Sequence, residues 1–242
     1  MVAETHSPAV QVNSVSKAFG ARPVLKGVSL AATRGEAVCL CGVNGAGKST
    51  LLQIISGLLR PDRGSVDVGG HNTADHPGQF KRQLGMISHK SMVYPELTVT
   101  ENLNFVARLY GVTNRAARID ELLARTGLTA FSYDRAAILS RGLLQRLAIA
   151  RALLHEPSVL LADEPFAGLD GSAVEYVLSV FADFVASGGT LLTTTHDTRL
   201  GLRCCSRVAV LDAGAILLDR PKEQVDSERF IEDYLSYARS GS

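Results

Sequence analysis

A glycine-rich run ending in a lysine and two hydroxyl residues is the segment best suited to chemistry. It reads Gly42-Val-Asn-Gly-Ala-Gly-Lys-Ser-Thr50, follows a strand-like run over 36–41 and opens a helical pattern over 48–58. Glycines let successive backbone N–H groups turn inward around phosphate oxygens, and the helix N-terminus directs its positive end at the same anion. The pattern predicts a phosphate-binding loop, with an ordinary glycine turn before a helix as the alternative. The residues expected to contact a nucleotide are Gly42, Asn44, Gly45, Ala46, Gly47, Lys48, Ser49 and Thr50.

Specific roles follow for the polar side chains of this loop. Lys48 would neutralise the β- and γ-phosphates, and Ser49 would bind Mg²⁺. The loop therefore predicts ATP and Mg²⁺ as cofactors.

Two adjacent carboxylates supply a second element of chemistry. The apolar strand Val159-Leu-Leu-Ala-Asp163 ends in a carboxylate at the edge where open parallel sheets bind ligands. Asp163 would bind Mg²⁺ through water, and Glu164 could accept the proton of an attacking water. A helix N-cap is the structural alternative for the pair.

Around these residues, short apolar strands alternate with helical patterns, which is typical of an α/β fold with a parallel sheet. The first part is richer in strands, which we expect over 9–18, 24–31 and 65–68, separated by glycine and proline turns. The stretch 98–128 is helical. Thr98 and Glu101 form a capping box there, and a second helix stops at Gly127. No Pro/Gly/Ser-rich linker flanks this stretch, so it predicts an inserted lobe.

Composition narrows the class of protein. The chain has 242 residues with 46% hydrophobic content, enough for one compact domain with an inserted lobe. Its 25 Lys and Arg nearly balance 24 Asp and Glu, so no nucleic-acid partner is expected. No apolar run reaches the roughly 18 to 20 residues that span a bilayer, and no signal peptide is visible. We expect a soluble intracellular chain.

The four cysteines do not have zinc-site spacing. Cys39 and Cys41 lie in the strand before the glycine loop and are expected to pack in the core. Cys204 and Cys205 are expected on a helix face, with redox or metal chemistry as the alternative.

A family resemblance becomes specific at Leu139-Ser140-Arg-Gly142-Leu-Leu-Gln-Arg146, which resembles the signature motif of the ATP-binding cassette ATPases. Ser140 can cap a helix whose exposed N–H groups and hydroxyl form an anion site. The resemblance implies that this site meets the γ-phosphate held by a partner subunit. An ordinary capped helix is the alternative.

Further segments match the same family in the same order along the chain. The run Phe166-Ala-Gly-Leu-Asp170 resembles its D-loop, and His196, after a strand over 190–195, is similar to its switch histidine. Phe19 matches the position that stacks on adenine, with a core side chain as the alternative. The resemblance thus implies catalytic roles for Glu164 and His196. It also implies nucleotide contacts from Phe19, His89, Ser140, Gly142, Asp163 and Asp170.

Two positions depart from the family pattern. His89 stands where a glutamine usually touches Mg²⁺, and Arg141 replaces a signature glycine. With their flanking segments, both look most like the haem-exporter branch involved in cytochrome c maturation. Neutral substitutions in solvated loops are the alternative.

The resemblance implies a P-loop NTPase fold with a mainly parallel central sheet, an N-terminal antiparallel β-subdomain and an inserted α-helical subdomain at about 90–156. The ATPase domain would cover 1–225, followed by a C-terminal amphipathic helix and tail over 226–242. The implied function is ATP hydrolysis driving export through a separate membrane permease, with a haem or cytochrome-maturation cargo favoured. The first alternative is export of a drug, lipid or polysaccharide. A soluble ATPase that acts in translation or DNA repair is a second and less favoured alternative.

The same resemblance implies how the chain would assemble. Two copies would close head-to-tail around two ATP molecules, attached peripherally to the cytoplasmic face of the membrane.

Overall fold

A computed structural model describes residues 8–75, 77–88 and 92–225. The strands in these ranges are β1 Val10–Phe19, β2 Arg22–Ala32, β3 Ala37–Cys41, β4 Arg63–Val68, β5 His71–Asn72, β6 Leu84–Ile87, β7 Val159–Asp163, β8 Thr190–Thr195, β9 Arg207–Asp212 and β10 Ala215–Pro221. The helices are α1 Lys48–Ile55, α2 Pro77–Gln83, α3 Val99–Leu109, α4 Arg115–Arg125, α5 Arg141–Leu153, α6 Gly171–Ala186 and α7 Thr198–Cys204. Short 3₁₀ turns lie at Thr129–Phe131, Ala136–Ile138 and Lys222–Gln224.

The central sheet has the strand order β10-β9-β3-β8-β7-β6. All neighbours are parallel except β10, which returns antiparallel along β9. Every residue of β3, β7 and β8 is buried, as expected for parallel strands covered on both faces. Cys41 pairs with Thr195, and Asp163 pairs with Thr194. The carboxyl ends of β3, β7 and β8 therefore meet at one edge of the sheet.

A second, antiparallel sheet has the order β2-β1-β4-β5. Its inward residues share one apolar cluster with α1 and one face of the central sheet, including Val12, Leu30, Leu52 and Leu192. The three strands expected in the first part of the chain are confirmed as β1, β2 and β4. Together the two sheets form the predicted α/β architecture with an N-terminal antiparallel subdomain.

The inserted helical subdomain has an apolar core of its own. Its buried residues are Val99, Leu103, Val106, Ala107, Ile119, Leu122, Leu123, Leu128, Ala136, Leu139, Leu147, Ala150 and Leu154. The capping box at the start of α3 is confirmed: the Glu101 N–H donates to Thr98 Oγ1 at 3.2 Å, and the Thr98 N–H donates to Glu101 Oε2 at 2.8 Å. After α4, Gly127 adopts a left-handed φ of 66°, so the helix ends where the sequence indicates.

The cysteines lie close to one another, in β3 and at the end of α7. Cys39, Cys41 and Cys205 are buried, which confirms core packing for the first two, and Cys204 ends α7. All four are free thiols, and the Sγ atoms of Cys39 and Cys41 lie 3.6 Å apart. Burial raises the pKa of Cys204 to about 12. Among the described residues, no group of three or more His, Cys, Asp or Glu side chains could hold a metal ion.

The helices of the described ranges are too short or too polar to cross a membrane. The predicted C-terminal amphipathic helix over 226–242 lies outside the described residues.

Candidate nucleotide site

The glycine loop connects the buried end of β3 to the first turn of α1. Gly45 and Gly47 have left-handed φ values of 84° and 109°, which glycine adopts without steric cost. A Cβ atom at Gly42 would overlap the Leu211 carbonyl oxygen of the neighbouring strand. Glycine is therefore required at this position by packing as well as by the turn.

Lys48 is a buried cation at the start of α1. Its Nζ donates to the carbonyl oxygens of Gly42 at 2.6 Å and Val43 at 3.2 Å. Burial lowers the pKa of Lys48, while the nearby negative charges of Glu164 and Asp163 favour the protonated form. The ammonium group thus lies among backbone groups of the loop, facing the two acidic residues at the end of β7.

Asp163 connects the loop to the neighbouring strands. Its Oδ1 accepts from Ser49 Oγ at 3.0 Å and from Thr194 Oγ1 at 2.7 Å. A serine hydroxyl beside a buried carboxylate provides the hard oxygen ligands that Mg²⁺ prefers. Two such groups do not enclose a cation alone, but Mg²⁺ is commonly bound by one or two protein ligands together with substrate phosphates. Ser49 and Asp163 fit that arrangement.

Glu164 lies beyond the end of β7 with a left-handed φ of 51°, which is unusual for a residue with a side chain. Its N–H donates to Thr194 O at 3.2 Å and to Thr194 Oγ1 at 3.1 Å. Its carboxylate Oε2 lies 2.8 Å from His196 Nδ1 and accepts from the His196 N–H at 3.3 Å. The structure therefore brings together Glu164 and His196, the two predicted catalytic residues.

A cleft of about 640 Å³ opens over these groups. Its walls are Arg22, Val24, Asn44, Gly45, Gly47, Lys48, Ser49, Thr50, Gln53, Ser88, Asp163 and Glu164. The volume lies in the range of small-ligand sites, and the lining is rich in polar groups. Arg22 and Gln53 were not predicted from the sequence. Arg22 reaches the cleft from the antiparallel sheet, where it pairs with Phe19.

Among the described residues, several that the family resemblance implies lie outside the walls of this cleft. Phe19 ends β1 with 53% of its surface exposed and its ring 5.8 Å from Lys17 Nζ, so the alternative of a core side chain is wrong. Asp170 caps α6 by accepting from the Ala173 N–H at 2.8 Å, and this hydrogen bond lowers the pKa of Asp170. His89 lies outside the described residues.

The predicted signature segment forms the start of α5. Ser140 is the N-cap, and its Oγ accepts from the Leu143 N–H at 3.4 Å, which confirms the predicted cap. Gly142 follows in the first turn, while Leu147, Ala150 and Leu154 pack into the core of the helical subdomain. The Leu143 and Leu144 N–H groups both donate to Ser140, so within the described residues the N–H groups of Arg141 and Gly142 remain for an anion at this end of α5.

The helix α5 is also linked to the segment that follows Glu164. Gln145 Nε2 donates to Pro165 O at 2.8 Å. The guanidinium group of Arg141 lies directly against Gly168, where a Cβ atom would collide with it. The unusual arginine of the signature segment thus contacts the segment that resembles the D-loop.

Comparison with known proteins agrees with this geometry. The model of the ABC transporter family matches residues 25–167. The chain belongs to this family and is one of its ATP-binding subunits, with the ATPase domain that defines it.

The curated relatives differ in the transport that their names describe. The chain is 34% identical to the linearmycin resistance ATP-binding protein LnrL of Bacillus subtilis, covering 86% of this chain and 68% of the relative. It is 33% identical to the Nod factor export ATP-binding protein I of Bradyrhizobium diazoefficiens, with coverages of 90% and 72%. It is 38% identical to the methionine import ATP-binding protein MetN of Caulobacter vibrioides, with coverages of 89% and 68%. Exporters and importers therefore both appear among its relatives.

One similar solved structure is a dimeric ATP-binding cassette in a post-hydrolysis state with ADP and phosphate bound. It has 29% sequence identity and a TM-score of 0.81, covering 88% of this chain and 98% of that one. Subunits of this family thus dimerise and hydrolyse ATP on the fold described above.

Proposed function

We propose that this chain powers export through a separate membrane permease by hydrolysing Mg-ATP as a head-to-tail dimer on the cytoplasmic face of the membrane. The observation that carries the proposal is the convergence of Lys48, Asp163, Glu164 and His196 at one edge of the central sheet.

Each group has a definite task in hydrolysis. Lys48 offsets the negative charge of the β- and γ-phosphates. Glu164 accepts a proton from water as the water oxygen bonds to the γ-phosphorus, and the bond from that phosphorus to the ADP oxygen breaks. His196, which contacts Glu164, is placed to hold that carboxylate toward the reacting water. The products are ADP and inorganic phosphate.

Mg²⁺ would be held by Ser49 directly and by Asp163 through water. When bound, it neutralises charge that develops on the phosphate oxygens. Both side chains already lie together, since Ser49 Oγ donates to Asp163 Oδ1 at 3.0 Å.

A second copy completes the site in this proposal. Ser140 and Gly142 lie at the start of α5 and do not line the cleft of their own chain. In a head-to-tail dimer, the start of α5 from one chain would face the γ-phosphate held by the other. A two-fold axis would make the two sites equivalent. ATP then strengthens the dimer and hydrolysis weakens it, which transfers the chemistry to a membrane partner as motion.

Docking of a permease is supported by an exposed apolar patch on the helical subdomain. The rings of Tyr94 and Phe105 meet edge-on at 5.1 Å. They are 50% and 44% exposed, and Leu109 on the same helix as Phe105 is 72% exposed. Apolar side chains grouped in this way are characteristic of protein interaction surfaces.

The cargo proposal is narrower and rests on the sequence. His89, Arg141 and their flanking segments favour haem or another cytochrome-maturation cargo, with drugs, lipids and polysaccharides as competitors. Purification with the native permease in mild detergent identifies that partner. ATPase assays of the complex with haem added then test the cargo: stimulation supports it, and an unchanged rate argues against it.

The replacement Glu164→Gln tests the catalytic and dimeric parts together. It keeps the shape of the side chain but removes the base, so turnover should fall by about 10² to 10⁴ fold while ATP still binds. Sedimentation with and without Mg-ATP should show the variant accumulating as an ATP-bound dimer. Glu96→Gln, an exposed position outside the cleft, serves as the matched control. A Glu164→Gln variant that stays monomeric and hydrolyses ATP at the parent rate would refute both parts.

A further inference from the structure

The hydroxyl group of Thr194 joins the two acidic residues of the site. Thr194 is fully buried in β8, opposite Asp163 of β7. Its Oγ1 donates to Asp163 Oδ1 at 2.7 Å and accepts from the Glu164 N–H at 3.1 Å. One side chain therefore contacts the carboxylate assigned to Mg²⁺ and the backbone of the residue assigned to proton transfer.

Glu164 depends on this contact because its backbone is held in an unfavourable conformation. Its φ of 51° is left-handed, and such residues persist only where neighbouring groups fix them. Both hydrogen bonds from the Glu164 N–H go to Thr194, one to the carbonyl oxygen and one to the hydroxyl. Loss of the Thr194 hydroxyl would leave the Glu164 N–H with one long hydrogen bond, at 3.2 Å, to the Thr194 carbonyl oxygen.

Asp163 depends on the same hydroxyl in a different way. Its side chain accepts hydrogen bonds from Ser49 and Thr194 within the described part of the chain, both at Oδ1. In the proposed function, Ser49 turns toward Mg²⁺. Thr194 is then the remaining donor that fixes the direction of the Asp163 carboxylate.

We propose that Thr194 is a positioning residue for ATP hydrolysis, which orients Asp163 and Glu164 at once through its single hydroxyl group. This inference rests on the proposed function. It predicts that the hydroxyl affects turnover and the contribution of Mg²⁺ to binding, while the phosphate loop still holds the nucleotide.

The adjacent Thr193 provides a matched control. It is also fully buried in β8, but successive residues of a strand point to opposite faces of the sheet. Its Oγ1 has no hydrogen-bond partner among the residues that the structure describes. Thr193→Val therefore makes the same chemical change in the same strand without removing a hydrogen bond.

The test compares Thr194→Val, which removes the hydroxyl at nearly constant volume, with Thr194→Ser, which keeps it. We expect Thr194→Val to lower kcat by about 10 to 100 fold, since small misplacements of catalytic groups cost up to that much. KM for Mg-ATP should change less than kcat, because the phosphate loop is untouched and only the contribution of Mg²⁺ to binding is weakened. Thr194→Ser should recover most of the rate, and Thr193→Val should match the parent.

Calorimetry gives a readout that does not depend on turnover. ADP affinity measured with and without Mg²⁺ should show a smaller gain from the metal in Thr194→Val than in the parent or in Thr193→Val. The inference would be overturned if Mg²⁺ raised ADP affinity equally in the parent, Thr194→Val and Thr193→Val. A kcat for Thr194→Val equal to that of Thr193→Val would also overturn it. Equal losses in Thr194→Ser and Thr194→Val would also overturn it, because the hydroxyl would then not be the cause.

Glu164→Gln separates this inference from the proposed function. If Glu164→Gln is inactive while Thr194→Val hydrolyses ATP like the parent, the role of Thr194 alone is wrong. If Glu164→Gln itself retains the parent rate, the proposed catalytic mechanism is wrong.

Discussion

Replacing Asn102 by aspartate should destabilise the helical subdomain without altering the nucleotide site. Asn102 is 1% exposed in α3, and its Nδ2 donates to the carbonyl oxygens of Tyr94, Leu97 and Thr98 at 3.0, 3.2 and 3.0 Å. Its Oδ1 accepts from the Tyr94 N–H at 2.8 Å. A single amide thus fixes the turn before the helix and holds Tyr94 of the exposed apolar patch in place.

The size of the effect follows from those bonds. Aspartate has nearly the same shape and keeps the acceptor, but it removes both donor hydrogens and faces the carbonyl oxygens with a carboxylate. The three donated hydrogen bonds share two amide hydrogens, and all three are lost. At about 1 kcal/mol for each hydrogen, plus the cost of burying an unmatched acidic group, the loss is about 2 to 4 kcal/mol. Urea unfolding followed by circular dichroism measures this free energy directly.

Asn104→Asp is the matched control, because this residue lies in the same helix and its amide makes no hydrogen bond to the described residues. The control should change the free energy of unfolding by no more than about 0.5 kcal/mol, as is usual for surface substitutions. If Asn102→Asp also lowered the free energy of unfolding by no more than about 0.5 kcal/mol, the stabilising role given to the Asn102 amide would be refuted. Under native conditions the ATPase rate of folded Asn102→Asp should equal that of the parent, since the cleft contains no part of this turn.

Three further outcomes are expected. Lys48→Ala should weaken Mg-ATP binding by at least about 10 to 100 fold in calorimetry, because it removes a charged donor, while Lys81→Ala should bind like the parent. Burial lowers the pKa of His155, so the unfolded chain takes up a proton first below about pH 6.5 and stability should fall as the pH decreases. His155→Gln can still donate to the Leu84 carbonyl oxygen. In urea titrations its free energy of unfolding should depend less on pH between about pH 7 and 5 than that of the parent. An equal pH dependence in the two proteins would show that His155 does not cause the fall. Thr98→Ala should lose about 1 kcal/mol of unfolding free energy in urea, because the capping hydroxyl is removed; an unchanged midpoint would argue against the cap.

The sequence was informative where structure is decided locally. Strands β7 and β8 begin and end at the predicted residues. β7 is an apolar run that ends shortly before Pro165, and β8 is a run rich in β-branched threonine that ends just before His196. The caps at Thr98 and Ser140 were also predicted, since each needs only a side chain and an N–H group three residues away.

Contacts between distant segments could not be predicted in this way. Thr194 reaches Asp163 because β8 pairs with β7 in one register, and nothing in the run of three threonines distinguishes it from Thr193. Arg22 lines the cleft because a hairpin places it beside the glycine loop, 20 residues or more away in sequence. The sequence did not decide whether the Phe19 side chain is buried or exposed, for a similar reason. Its exposure depends on how far the end of β1 extends beyond the strands and helices packed against the antiparallel sheet.

The separate apolar core of the helical subdomain has a consequence for how this type of protein diversifies. All of its buried cluster lies between Val99 and Leu154, so side chains there can be exchanged together without disturbing packing around the glycine loop. The hydrogen bonds that join α5 and its end to the rest of the chain include those to the carbonyl oxygens of Leu84, Met86 and Pro165. All three accept through the main chain, and a main-chain oxygen is present whatever the residue type. The apolar side chains of this cluster are therefore suited to vary together, whereas Ile149 and Ala152 of α5 pack in the core of the central sheet and fix the subdomain to it.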